Sequence, residues 1–151
     1  MSDQSTPEET MPNIDYGPLP SLAGYQIRKA YGRLFQTFTE MLRDLNLAPG
    51  QYGALLIIAL NPGLNQNMLA NAVGLDRSTI VPIVSRFVRL GWVSRSRLAA
   101  DRRVYSLNLT PLGESVLDRA GPIIERHEEQ LMAPLSRAER ELLAQLLSRI
   151  A

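Results

Sequence analysis

Between Asp76 and Arg103 the chain carries seven arginines, no lysine and only two aspartates. A local excess of guanidinium groups in a chain whose net charge is only +1 makes a patch suited to phosphate. The residues fall in two groups. Arg77, Ser78, Thr79, Pro82, Ile83 and Arg86 follow Asp76 at spacings that put them on the early turns of one helix. A helix of this kind can enter the DNA major groove, where arginine neutralises phosphate or reaches guanine and the hydroxyls of serine and threonine pair with either kind of base edge. Arg95, Arg97 and the triplet Asp101-Arg102-Arg103 form the second group. An aspartate two residues before an arginine on an extended strand lies on the same side. It can hold that guanidinium in one rotamer, ready for the narrow, electronegative minor groove of A·T tracts. The alternative for this pair is a surface ion pair of little consequence. Arg95 and Arg97 close by weigh against it.

Other chemistries are poorly supplied. There is no cysteine, one histidine (His127) and one lysine (Lys29). Disulfides, thiol nucleophiles and a zinc site built from Cys and His are therefore excluded, and no metal or other cofactor is expected. The carboxylates sit on expected outer helix faces with no nucleophile–base pair among them, so the chain reads as a binding protein and not an enzyme. No apolar run approaches the roughly 20 residues that span a bilayer. The acidic, polar N-terminus lacks the pattern of a signal peptide, so a cytoplasmic protein is expected.

The elements that must hold the arginines are legible in order. Residues 1–20, with four acids and four prolines, read as a flexible arm, and residues 21–151 as a single domain. Ile27, Tyr31, Leu34, Phe38, Met41 and Leu45 recur at spacings of four and three, giving a helix over about 21–46. A second helix, apolar nearly all round, begins near Pro49 and ends at Asn61-Pro62-Gly63. Next comes a helix-turn-helix. Ala70 is small where two helices cross, and Gly74 admits positive φ in the turn. Leu69, Val73, Leu75, Ile80 and Ile83 form the internal wedge, and Asp76 caps the second helix. Gly91 closes that helix. Residues 92–97 and 103–109 read as strands of a hairpin whose tip, Leu98–Arg102, lacks the glycine of a tight turn. Thr110-Pro111 starts a long helix through Gly113, Leu117, Ala120, Ile124, His127 and Leu131, with a kink expected at Pro122. Ser136 to Glu139 is a capping box for a terminal helix bearing Leu142, Leu143, Leu146, Leu147 and Ile150.

The fold class that follows is mainly α with a small β-wing: a winged helix-turn-helix over about 49–110, flanked by helical regions at about 21–46 and 111–151. Apolar stripes at both chain ends exceed what one copy can bury, which favours a homodimer. Pro82 stands at about the sixth position of its helix, where proline removes a hydrogen bond at a cost on the order of 3 kcal/mol. Either the kink is tolerated, or a rigid apolar surface is wanted beside a thymine methyl.

Leu69-Ala70, Gly74 to Thr79, Arg86, Leu90 to Val93, Asp101-Arg102-Arg103 and Leu109 to Gly113 together resemble the MarR family of regulators. The resemblance covers nearly all of the chain after residue 20. It implies a homodimer on a pseudo-palindromic duplex operator, with Arg77 to Ile83 in the major groove and Arg103, oriented by Asp101, in the minor groove. It also implies a repressor released by a small anionic, often aromatic, effector bound between the dimer region and the DNA-binding lobe. An aromatic carboxylate or its coenzyme A thioester is the expected class. Arg28, Lys29 and Arg33 are candidate anchors and Tyr25 and Tyr31 candidate aromatic walls; the alternative is a solvated basic face with core tyrosines. Pro82 departs from the family pattern, which often has a polar or basic residue there. Lack of cysteine separates the chain from peroxide-sensing members, and lack of His/Cys ligands from metal-sensing ones. The competing reading is a winged helix used for protein contacts or for non-specific architectural DNA binding.

Overall fold

A computed structural model describes residues 14–48, 50–97 and 105–150. The chain divides into two units, Met1–Arg33 and Leu34–Ala151. In the first, Asp15 accepts from the Gly17 amide at 2.8 Å and a 3-10 turn, Leu19–Ser21, leads towards helix α1 (Ala23–Met41). Here Ile27 and Tyr31 are exposed, whereas Tyr25 is half-buried.

The second unit holds the remainder of α1, a 3-10 turn (Arg43–Leu45), α2 (Gln51–Leu60), α3 (Gln66–Val73), α4 (Arg77–Arg89), β1 (Val93–Arg97), β2 (Tyr105–Leu109), α5 (Pro111–Met132) and α6 (Arg137–Ser148). α1 stops at Met41, and the expected helix over 21–46 finishes as the tighter 3-10 turn. Asn46 closes that turn at φ 54°, the left-handed region; it is the one non-glycine residue with positive φ among those described. The α2 helix begins at Gln51, two residues later than its proline signal suggests, and Pro49 itself lies outside the described residues.

Leu42, Leu55, Ile58, Leu69, Ile80, Val84, Phe87 and Leu107 are fully buried and form one core under α2, α3 and α4. The small-residue crossing is as expected: Ala70 is buried and Gly74 takes φ 67°. Asn65, not anticipated as a cap, accepts from the amides of Asn67 (2.9 Å) and Met68 (3.0 Å) at the start of α3.

The wing is an antiparallel pair running from Val93 opposite Leu109 to Arg97 opposite Tyr105. Its second strand is also tied to the loop after α2, since Gly63 N–H donates to the Leu107 carbonyl (2.9 Å) and Leu107 N–H to the Leu64 carbonyl (2.8 Å). Alternation along β2 is broken, because Leu107 and Ser106 are both buried. Ser106 is satisfied by the Ser96 hydroxyl at 2.6 Å and the Ser96 carbonyl at 3.1 Å.

Thr110 joins the wing to α5. Its amide donates to the Trp92 carbonyl (3.0 Å), its hydroxyl donates to the Gly91 carbonyl (2.6 Å), and that same oxygen accepts from Gly113 N–H (3.1 Å). The backbones come so close here that a Cβ on Gly113 would stand 2.3 Å from the Trp92 oxygen. α5 then continues through Pro122 as a single helix. On it His127 is buried, with Nε2 2.6 Å from the Thr37 hydroxyl and its ring edge-on to Phe38. Both halves of the capping box at Ser136 and Glu139 are formed. Leu142, Leu146, Leu147 and Ile150 remain exposed along the final segment. No described helix is long and apolar enough to cross a membrane.

Candidate nucleic-acid interface

The start of α4 is built around Asp76. Its side chain leaves the backbone in an extended conformation (φ −74°, ψ 165°), and one oxygen accepts from Thr79 N–H at 2.8 Å and from the Ser78 hydroxyl at 2.6 Å. The Ser78 hydroxyl, then the Thr79 amide and hydroxyl, hold the carboxyl below its ordinary pKa of 3.8. A charged aspartate at this end also complements the helix dipole, and Arg86 and Arg89 do the same in the last turn.

Arg77, Ser78, Thr79 and Pro82 are all exposed, so four of the expected groove-facing residues share an open surface at the beginning of the helix. Arg77 has no hydrogen bond or ion pair among the described residues, leaving its guanidinium available to a ligand. Ile83 is different. It is half-buried and packs on the core, so its wedge role dominates. Arg86 is different again: it is half-buried, and one terminal nitrogen donates to both the backbone and side-chain oxygens of Asn46, each at 2.6 Å.

On the wing, Arg95 and Arg97 are exposed. Arg95 reaches back to the Ser85 hydroxyl of α4 at 3.3 Å, and the Arg97 guanidinium lies 5.9 Å from the centre of the Tyr105 ring, within cation–π range. Both arginines are thereby directed by neighbours that sequence patterning did not pair with them. Asp101, Arg102 and Arg103, the expected wing-tip contacts, lie outside the described residues.

Comparison with known proteins bears on this arrangement directly. The profile of the MarR family matches residues 44–104. A regulatory protein of Thauera aromatica assigned to the hcr operon is 36% identical over 89% of this chain and 82% of its own length. The chain belongs to the MarR family. Other members are similar at comparable levels. The transcriptional regulator HosA of Escherichia coli O127:H6 is 32% identical across 87% of this chain and 96% of its own. Among solved structures, the repressor CouR bound to a 23-mer DNA duplex superposes with a TM-score of 0.85 at 33% identity, covering 91% of this chain and 97% of CouR. CouR bound to p-coumaroyl-CoA superposes with a TM-score of 0.83 at 31% identity, over 91% and 96%. This chain is thus a MarR-type transcriptional regulator with the family's winged helix-turn-helix.

Of the residues expected to meet an effector, Arg28, Lys29, Tyr31 and Arg33 are exposed on α1 and Tyr25 is half-buried. The Lys29 ammonium sits 5.6 Å from the centre of the Tyr25 ring. Among the described residues no group of His, Asp and Glu could hold a metal ion.

Proposed function

We propose that this MarR-family protein is a sequence-specific, effector-responsive repressor that binds a pseudo-palindromic operator as a homodimer. The observation that carries the reading is the open surface at the start of α4, where Arg77, Ser78, Thr79 and Pro82 are exposed on a helix rigidly capped by Asp76. A reading helix in the major groove with arginines of the adjacent wing on the flanking backbone is the arrangement these side chains suit. Similarity to CouR in its DNA-bound form supports it. Arg95, Arg97, Asp101, Arg102 and Arg103 supply the wing contacts in this reading, with Arg103 in the minor groove. The exposed Leu142, Leu146, Leu147 and Ile150 are the apolar surface that a second copy covers.

Release follows from an anionic aromatic effector, an aromatic acid or its coenzyme A thioester. Support comes from CouR bound to p-coumaroyl-CoA and from the cationic run Arg28-Lys29 with Arg33, interleaved with Tyr25 and Tyr31. An effector needs only a few kcal/mol of preference for the DNA-incompetent state to empty an operator.

Fluorescence anisotropy with the DNA upstream of the protein's own gene tests the reading. Binding that survives excess random duplex supports a regulator. Loss to competitor identifies an architectural protein, and no binding even at low salt identifies a protein-contact module. Arg103→Ala should weaken specific binding by about 1–3 kcal/mol. Aromatic acids and their thioesters that neither bind by calorimetry nor shift operator affinity would remove the effector assignment.

A further inference from the structure

The Arg86–Asn46 contact links two points 40 residues apart. One is the last turn of α4, on the face shared by Thr79 and Pro82, which recur with Arg86 at spacings of three and four. The other is the turn that terminates α1. At that turn Asn46 holds a left-handed backbone and donates its amide to the Arg43 carbonyl. Bonds from a cation are the strong class, and a pair that converges on one residue fixes its position as well as its distance. The Arg86 stem is part-buried, and its Nε is enclosed without a partner among the described residues. Swinging the guanidinium outward to a phosphate would break both bonds to Asn46 and leave that turn without its clasp.

We infer that Arg86 is a positioning residue and not a DNA contact: through its bonds to Asn46 it fixes the reading helix α4 to the exit of α1, and operator affinity depends on that clasp. The inference rests on the reading of the protein as an operator-binding regulator. It adds a polar, directional connection between the end of α1 and the reading helix to the apolar core that Leu42 and Leu45 share with Ile80, Val84 and Phe87. A change that moves the end of α1 is passed to α4 through both, and a clasp that is broken leaves only a fraction of molecules with α4 competent to dock.

The test measures operator affinity as a function of salt for the full-length wild type, Arg86→Met, Asn46→Gly, Asn46→Asp and the Arg86→Met/Asn46→Gly double variant. Loss of a phosphate contact lowers the slope of log affinity against log salt by about 0.9, because one counterion fewer is released. A positioning residue leaves the slope unchanged. Arg86→Met is expected to weaken binding roughly ten- to a hundredfold with the wild-type slope. Asn46→Gly accepts the left-handed backbone and keeps the carbonyl but removes Oδ1, so it should weaken binding less. The double variant should be no weaker than Arg86→Met alone. Asn46→Asp keeps the acceptor and adds charge, and should bind like the wild type. A slope reduced by about one in Arg86→Met, or wild-type affinity in Asn46→Gly, overturns the assignment. Asn46→Gly leaves Arg86 in place, so this second criterion stands even if Arg86→Met does not fold. A wild type with no operator preference sinks the regulator reading itself, an outcome distinct from a wild type that binds while Arg86→Met shows the reduced slope.

Discussion

Gly53 and Gly113 occupy the same third position of α2 and α5, so replacing each with alanine makes the same local change with opposite expected results. At Gly53 a new Cβ meets nothing within 4 Å. Alanine there restricts the unfolded chain and favours the helix, so Gly53→Ala should stabilise by about 0.4–1 kcal/mol. At Gly113 the same gain is overwhelmed. The Cβ would lie 2.3 Å from the Trp92 carbonyl oxygen and 2.7 Å from a Leu109 methyl. Carbon and oxygen need to separate by roughly a further ångström, and overpacking of that kind costs about 1–3 kcal/mol. The oxygen cannot retreat cheaply, because it accepts from the Thr110 amide at 3.0 Å. Losing that bond adds about 0.5–1.5 kcal/mol. Net destabilisation of about 1–4 kcal/mol results, a large part of the roughly 5–15 kcal/mol typical of a folded domain. Urea denaturation at matched protein concentration measures both variants against wild type. At about 2–4 °C per kcal/mol, Gly113→Ala should also melt roughly 2–16 °C lower. A Gly113→Ala protein as stable as wild type would refute the close approach of α5 to the wing.

Thr110→Ala removes the cap of α5 and the hydroxyl donated to Gly91, and should cost about 1–2 kcal/mol in the same assay. Pro82→Ala restores the amide that can donate to the Ser78 carbonyl and should stabilise α4 by up to about 3 kcal/mol. If its operator affinity and base preference are unchanged, the rigid-surface role for Pro82 is dead. For Asp76 and Glu139 the folded pKa is lowered, in each case chiefly by a serine hydroxyl donating to the carboxylate (Ser78, Ser136). Their stabilisation is therefore complete above the unfolded values of 3.8 and 4.5 and is lost as pH falls through the lower folded values. Asp76→Asn keeps a capping oxygen without the titration, so stability measured from pH 7 to pH 3 should fall less steeply than in wild type.

What was legible in the sequence was whatever a local rule could reach. Ala70, Gly74 and Asp76 each meet a steric or capping demand within a few residues, and the helices formed around them as expected. Thr110 and Ser136 were equally plain. Long-range effects were not. Gly113 looked like one small residue in an apolar seam, whereas its cause is the carbonyl of Trp92, which approaches only once the wing has folded. Arg86 reads as another cation on an exposed face until Asn46, 40 residues earlier, is brought beside it. An asparagine directly after a helical run is a known signal for a left-handed residue and could have located the turn, though not its partner. Ile83 fits both the wedge and the groove-facing group by its spacing, because a helical period cannot decide which side of a boundary residue faces inward. Packing puts it against the core.

Asp76 does more than end a helix. The Ser78 hydroxyl donates to its carboxylate at 2.6 Å, and a carboxylate ionised at neutral pH has no proton to donate in return. Ser78 is left with lone pairs alone to offer outward. A hydroxyl in that state cannot satisfy the carbonyl of guanine or thymine, but it can receive the exocyclic amine of adenine or cytosine. In the operator-reading role proposed for α4, an interaction internal to the protein would thus narrow Ser78 from any base to two.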